Sequence, residues 1–351
     1  MFTILSSFKK GKRSNYVALF LLFLVIVLLA NAHASNALAN AVNSDKLYVI
    51  KQDGKYGYID GNGNIVIKPI YLQAKQFAEG VAPVKIQEGI WGVINIKGEV
   101  IAAWENVDEI NEFSEGLAVI KHGARYGYID KKQLVIPLKF DAAGDFSEGL
   151  AVVAIREGST FLEKLHNAKY GYIDKDGNIV IDCQFGAAGK FKEGVAPVSS
   201  AATDFRWGYI DKTGQYVIEA KYFTAREFSE GLAPVTVALG KSGFIDHQGN
   251  LVIPPQYSWT YSFSEGLARV MVGEKIEFNS NGIKLLEKGK YGYIDKSGRM
   301  VIEPQFVEAG DFKDGLARIY DKILGFGEGR YQDISIGYID KSGNIIWPLT
   351  R

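Results

Sequence analysis

Seven aspartates recur along the chain, Asp60, Asp130, Asp174, Asp211, Asp246, Asp295 and Asp340, each closing a "GYID"-like word, with Asn95 in the remaining place. Oxygen-rich turns of this kind invite a hard cation, and "DGNGN" at 60–64 and "DKDG" at 174–177 look like pieces of a calcium loop. An EF-hand loop needs a glycine at position six and an acid at position twelve. Counting from Asp60, those places hold Ile65 and Tyr71. Asp and Asn also hydrogen-bond the backbone of their own turns, and that structural role is the expectation.

A second set of acids, Glu79, Glu115, Glu148, Glu193, Glu230, Glu265 and Asp314, sits just before a glycine. Such a set could line one rim of a ring and hold cations or basic partners, but a feature present in every unit more often serves the fold. The histidines, His33, His122, His166 and His247, pair at no metal-ligand spacing, and neither H-E-x-x-H nor G-x-S-x-G occurs. Cys183, in "VIDCQF", has no histidine word near it and reads as a packed thiol. "GFGEGR" at 325–330 lacks the strand-to-helix setting of a phosphate loop. No catalytic, cofactor-binding or metal-ligating residue is therefore nominated.

Both acid sets are carried by a repeat. Aligned on the glycine of the "YGYID" word, eight copies appear at Gly57, Gly92, Gly127, Gly171, Gly208, Gly243, Gly292 and Gly337, spaced by 35, 35, 44, 37, 35, 49 and 45 residues. A second word, such as "FAEGVA" at 77–82 or "FSEGLA" at 228–233, follows seven of them at 22 to 24 residues. The length variation lies outside that interval, so each unit has a rigid half and an elastic loop. "GYID" and "IVI" are strand-like in their aromatic and β-branched content, and Asp-Gly-Asn or Ser-Gly-Asn between them is turn chemistry for positive φ. "LAVIK" or "LAPV" supplies a third strand. The glycine and alanine recurring at neighbouring strand positions predict a close approach of adjacent sheets there.

Between units, apolar residues fall at i, i+3 and i+6, as in Tyr71-Ala74-Phe77 and Tyr222-Ala225-Phe228. A period of three predicts a tight helical turn that wedges two aromatics between neighbouring sheets. Three strands of this size cannot stand alone in water. The opening "LYVIKQDGKYGYID" at 47–60 matches "LAVIKHGARYGYID" at 117–130, and the chain stops just after its last hairpin. Cut in that frame, the protein is all-β: eight three-stranded antiparallel units forming a propeller-like ring or an open superhelical stack. The terminal units look no more polar than the rest, which favours closure, because an open stack needs polar caps. Pairing of residues 47–52 with 344–348 is the feature that would mark a closed ring.

The words "WGYIDKTG" at 207–214 and "FSEGLAPV" at 228–235 resemble the WG-repeat (KWG-repeat) family over about residues 46–348. Only Trp91 and Trp207 keep the signature tryptophan; tyrosine replaces it in four copies, serine in one and isoleucine in one. The resemblance implies a bacterial all-β repeat protein, often exported, that binds partners. It supplies no catalytic residues.

Address and surface follow from composition. Lys9, Lys10, Lys12 and Arg13 precede the apolar run from Tyr16 to Ala30, and Ala32-His33-Ala34 and Ala37-Leu38-Ala39 are small-x-small exits. This is the pattern of a signal peptide over 1–34, with cleavage as late as 39 as the alternative. The apolar run of fifteen residues is shorter than the ~20 that span a bilayer comfortably, so no membrane span is expected after cleavage. The remaining chain, 36 basic against 40 acidic residues, gives no electrostatic reason to bind nucleic acid. With only Cys183, no internal disulfide can form.

Recognition is expected where copies differ, on loops of a rigid scaffold. Three insertions stand out in one domain over 46–351: residues 154–168, 273–289 and 319–335, all in the same loop class and so on one face. The first contains the capping box Thr160-x-x-Glu163 and the second turns at Asn281-Gly282. Their aromatics Phe161, Phe278, Phe326 and Tyr331, with Trp259 and Tyr261 from the connector "PPQYSWTYSF", are the candidate partner-binding residues. The leading expectation is a periplasmic or secreted non-catalytic scaffold holding a protein, peptide or glycan. The alternatives are an exported glycan-acting hydrolase and a self-associating structural envelope protein.

Overall fold

The structure, a computed structural model, describes residues 46–156, 168–273, 275–279, 282–287, 289–320 and 335–350. The strands fall into eight antiparallel sheets in strict chain order, plus one separate hairpin. Blade 1 has three strands, Tyr48–Gln52, Lys55–Ile59 and Ile65–Tyr71. Blade 2 adds a two-residue strand, Gln73–Ala74, ahead of Val81–Gln87, Ile90–Asn95 and Val100–Glu105. Blades 3 to 8 repeat that four-stranded plan over residues 109–140, 142–185, 187–222, 224–257, 259–306 and 308–350. The molecule is an eight-bladed β-propeller.

The frame read from the sequence holds, with one short strand added to seven blades. The connectors expected to be helical are extended, and their Ala74 pairs with Val84 at the edge of blade 2. A period of three arises here from a two-residue strand that follows a bend at Leu72, so the alternation of a longer strand never develops. The aromatics do wedge between sheets. Phe77 packs edge-on to Tyr58 at 4.8 Å, Phe191 to Tyr172 at 4.8 Å and Phe312 to Tyr293 at 4.9 Å. Each such pair adds about 0.5–1.5 kcal/mol beyond area burial.

The core lies between blades, in clusters that each combine two neighbours; one joins Tyr209, Ile218 and Tyr222 of blade 5 to Ala225, Phe228, Ala233, Val235 and Ile245 of blade 6. Both faces of the strand that carries "GYID" are buried, as Tyr58 and Ile59 show. The last strand of each blade keeps residues such as Ile65, Val135, Val180 and Val252 exposed and so forms the outer rim. The two-residue strands at the opposite sheet edge line the axis.

The repeated glycine has a different cause from the one expected. Tyr56 faces Tyr71 but Tyr58 faces Ile67, so the outer strand bulges over Gly57 within its own sheet. A Cβ on Gly57 would lie 2.5 Å from the Ile67 carbonyl oxygen. The obstacle belongs to the same blade, not to its neighbour.

The ring closes by packing of faces. Residues 48–52 pair only with 55–59 among the described residues, and 345–350 pair with 336–340. Between blades 8 and 1, Tyr48 and Tyr338 meet edge-on at 5.5 Å, and Ile50, Ile59 and Ile336 bury with them. Tyr48 donates its hydroxyl proton to the Asp314 carbonyl at 3.1 Å, and Lys46 forms an ion pair with the Asp314 carboxylate.

Candidate binding surface

The two ends of the propeller are built differently. At one end lie the turns that carry both acid sets. Asp60 Oδ1 accepts the N–H groups of Asn62 and Asn64 at 2.9 Å, and Asp174, Asp246 and Asp340 do the same in their turns. The first acid set therefore serves the turns, as expected.

The second set joins blades. In "Glu-Gly", both residues have positive φ, +53° at Glu79 and +77° at Gly80, and Ala78 bonds Val81 in both directions. This is the two-residue hairpin turn that favours Asn-Gly or Asp-Gly. Glutamate is a poor choice for that backbone, and its carboxylate explains why it is there. Glu115 accepts from Gly149 N–H of the next blade at 3.0 Å, Glu193 from Gly231 at 3.1 Å and Glu230 from Gly266 at 3.0 Å. A basic side chain from that same next blade completes each junction: Lys175 on Glu115 at 3.2 Å, His247 on Glu193 at 2.8 Å, Lys296 on Glu230 at 3.1 Å. Blade 1, which has Gly61 where these basic side chains sit, is joined to Asp314 by Lys46 instead. These acids are inter-blade fasteners, and the rim-binding reading of them has no free carboxylate to rest on. Burial raises the Glu115 pKa, but the Gly149 N–H and Lys175 outweigh it and the net shift is downward.

The other end carries the variable loops. All three insertions join the first and second long strands of a blade. They leave from Arg156 and Ala168 in blade 4, Val272 and Lys290 in blade 7, and Tyr320 and Ile336 in blade 8, each a directly paired couple. The three departure points thus occupy the same place in the strand order. In blade 7 the insertion forms its own hairpin, Lys275–Asn279 with Gly282–Glu287, in which Phe278 pairs with Ile283. Phe161, Phe326 and Tyr331 lie outside the described residues, as does the capping box at 160–163.

Trp259 and Tyr261 sit at the axis. Trp259 is half-buried on the short inner strand of blade 7, paired with Met271. The Tyr261 ring carries two guanidinium groups, Arg269 at 3.5 Å and Arg226 at 4.3 Å from its centroid. Its hydroxyl lies 3.4 Å from that of Tyr291. Arg269 also bonds Asp311 at 2.9 Å, Glu308 at 3.3 Å and the Ala309 carbonyl in blade 8. Burial raises the Glu308 pKa against the pull of Arg269. Tyr261 is thereby a brace between blades 6, 7 and 8. Polar links of this kind continue around the axis, with Lys75 on Glu109 at 2.5 Å and Lys190 on Asp145 at 2.5 Å.

Sequence reasoning missed this axial network. Its one signal was a break in the repeat: "GLAR" in blades 7 and 8, where other blades read "GLAV", "GLAP" or "GVAP". Among the described residues no group of three or more His, Cys, Asp or Glu side chains is placed to hold a metal.

Eight radial four-stranded sheets, one short of a strand, define a β-propeller, a class whose scaffolds commonly mediate binding. The chain belongs to the family described as "WG containing repeat", which matches residues 56–89, 91–126, 126–157, 170–200, 207–238, 243–275 and 291–320. No curated protein matches the chain. Among solved structures it is similar to a eukaryotic initiation factor, at 11% identity over 87% of this chain and 88% of that one, with a TM-score of 0.48. Apo AztD from Citrobacter koseri is similar at 11% identity over 85% and 92%, with a TM-score of 0.47. BamB from Moraxella catarrhalis is similar at 12% identity over 69% and 81%, with a TM-score of 0.42.

Proposed function

We propose that this protein is an exported, non-catalytic binding scaffold of the bacterial envelope, periplasmic or secreted, which holds a protein, peptide or glycan on its insertion-bearing end. The observation that carries this reading is the shared origin of the three insertions, each on a paired strand couple at the same end of its blade. The opposite end supports it by contrast, because its acids are used in turns and junctions. A repeat-wide carboxylate tied to a backbone N–H and a lysine is a poor general acid or base, which weighs against a hydrolase.

Deletion of residues 274–288 tests the proposal cleanly. The hairpin 275–279/282–287 forms a sheet of its own. Its removal leaves Gly273-Gly289 between the paired Val272 and Lys290, the same length as Asp53-Gly54 between Gln52 and Lys55. Glycines suit a two-residue turn, so the variant should melt like the parent while losing partner capture from envelope extract. Unchanged capture overturns the binding-face reading. Hydrolysis by the purified protein, lost on a single acid substitution, would establish the enzyme instead, and concentration-dependent light scattering would establish self-assembly.

A further inference from the structure

The interval that carries the three insertions also holds a distinct loop in blade 5, residues 200–206 between the paired Ser199 and Trp207. The loop is held by its own backbone. Ser200 O accepts the N–H groups of Thr203 at 3.1 Å and Phe205 at 2.9 Å, and Thr203 O accepts that of Arg206 at 2.7 Å. This wiring puts Asp204 and Phe205 in the left-handed region, at φ +48° and +57°. Every other non-glycine residue at positive φ among the described residues is Asp, Asn or Glu. A bulky apolar side chain is an outlier there, because its Cβ crowds the following carbonyl.

Burial does not offset that strain. Phe205 is 67% exposed, the highest value for a large apolar side chain among the described residues. Its ring edge lies over Gly186 in the connector from blade 4, where a Cβ would sit 3.8 Å away. Next to it in sequence, the Arg206 guanidinium lies 5.9 Å from the ring centroid of Phe223, which is 46% exposed in the connector to blade 6. Phe223 is fixed in turn by its N–H on Thr236 O at 2.7 Å. Arg206 is exposed and forms no ion pair among the described residues. Within residues 200–206, 221–223 and 239–241, the charges are Asp204 against Arg206, Lys221 and Lys241, all exposed. Two aromatic rings and an unpaired guanidinium thus share a positively charged stretch of the insertion-bearing end.

We propose that Phe205, Arg206 and Phe223 anchor a peptide segment of a partner protein in which an acidic side chain stands beside an apolar one. The rings take the apolar group and the guanidinium takes the carboxylate, through the paired N–H···O bonds that arginine forms with such an anion. Aromatic residues with arginine are also what interface cores favour. A neutral glycan would leave the guanidinium without a counter-charge, so the peptide is the better fit. A strained residue held out in solvent is the pattern expected where function, rather than stability, sets the side chain. The anchor deepens the reading of this end as the binding face and rests on it.

The test selects a random peptide display library on the immobilised full chain and measures the enriched peptides by calorimetry against the parent, Phe205→Gly and Arg206→Gln. Enriched peptides should carry Asp or Glu beside Leu, Ile or an aromatic residue, and each variant should weaken them about tenfold or more. Phe205→Gly should also melt about 2 °C or more above the parent, because glycine adopts this conformation without strain. An unchanged or lower melting temperature would show that the ring serves the fold, and overturns the proposal. So does enrichment of peptides without acids, enrichment of none, or affinities that neither variant changes. Flotation of the parent, but of neither variant, with phosphatidylglycerol vesicles would assign the patch to a membrane surface and likewise overturns it. The 274–288 deletion separates this anchor from the wider binding face. Peptides kept by the deletion and lost in Phe205→Gly support the anchor; capture lost in the deletion and kept in Phe205→Gly sinks the anchor alone.

Discussion

Replacing Gly171 with alanine should cost far more than replacing Gly92, although both occupy the same place in the repeat. At Gly171 the new Cβ would lie 2.4 Å from the Ile181 carbonyl oxygen, 2.7 Å from the Cys183 nitrogen and 2.8 Å from the Asp182 carbonyl carbon. All three are backbone atoms of the bulged outer strand. A relaxed carbon–oxygen contact is about 3.3 Å or longer, so the strand must withdraw by roughly 0.9 Å. That shift loosens the Tyr172–Ile181 pairing beside it. Overpacking typically costs about 1–3 kcal/mol, and an obstacle made of paired backbone places this case near the upper end, about 3 kcal/mol. At Gly92 the nearest atom is the Ile86 Cδ1 at 2.7 Å, a movable side-chain tip, and the closest backbone oxygen is at 3.4 Å. Rotation of Ile86 should relieve it, and alanine is about 0.5–1 kcal/mol better than glycine in a strand, leaving a net change near zero. At about 2–4 °C per kcal/mol for large domains, thermal unfolding followed by circular dichroism should show Gly171→Ala melting about 6–12 °C below the parent. Gly92→Ala should stay within about 2 °C. Equal losses, or no loss at Gly171, would refute the bulge as the reason for the glycine.

Two further outcomes follow from the hydrogen bonds. Asp174, Asp211 and Asp340 have pKa values lowered first by their turn side chains, Asn178, Thr213 and Asn344, and Asp295 is brought to about 2, first by Ser297. Folded values below unfolded ones mean a contribution that is complete above the unfolded pKa of about 4 and lost as pH falls through the folded values; urea midpoints should therefore hold from about pH 7 to 5 and drop between about 4 and 2, and a flat profile to pH 2 would contradict it. Tyr209→Phe removes a hydroxyl donated to Arg226 O at 2.8 Å, and leaving that carbonyl short of a partner should cost about 1–2 kcal/mol in urea unfolding; the cost should vanish at Phe244, which already lacks the hydroxyl at this position.

Much of the fold was legible because a repeat exposes its own register. The "GYID" word marked the first strand of the rim hairpin, the turn chemistry marked the hairpin itself, and the match of 47–60 to 117–130 located the start of blade 1. The insertion loops could be assigned to one end for the same reason, since all occupy one interval of the unit. Less of the candidate site could be read. Trp259 and Tyr261 were candidate partner-binding aromatics, while the packing of Tyr261 against Arg226 of blade 6 and Arg269 of its own blade is visible only in the structure.

What the sequence determined by itself was periodic: strands, turns, unit length and the loop class that varies, because alternation and turn residues act within a few positions. What only the tertiary structure decided involves groups brought together around the ring. The two-residue inner strands are too short to leave a pattern of alternation. The glycine requirement comes from a backbone bulge across the sheet, and the glutamate in an unfavourable turn makes sense only when the next blade's N–H is beside it. Closure itself rests on Tyr48 meeting Tyr338, because the angle between blades, summed over eight interfaces, is a property of packing that no single unit encodes.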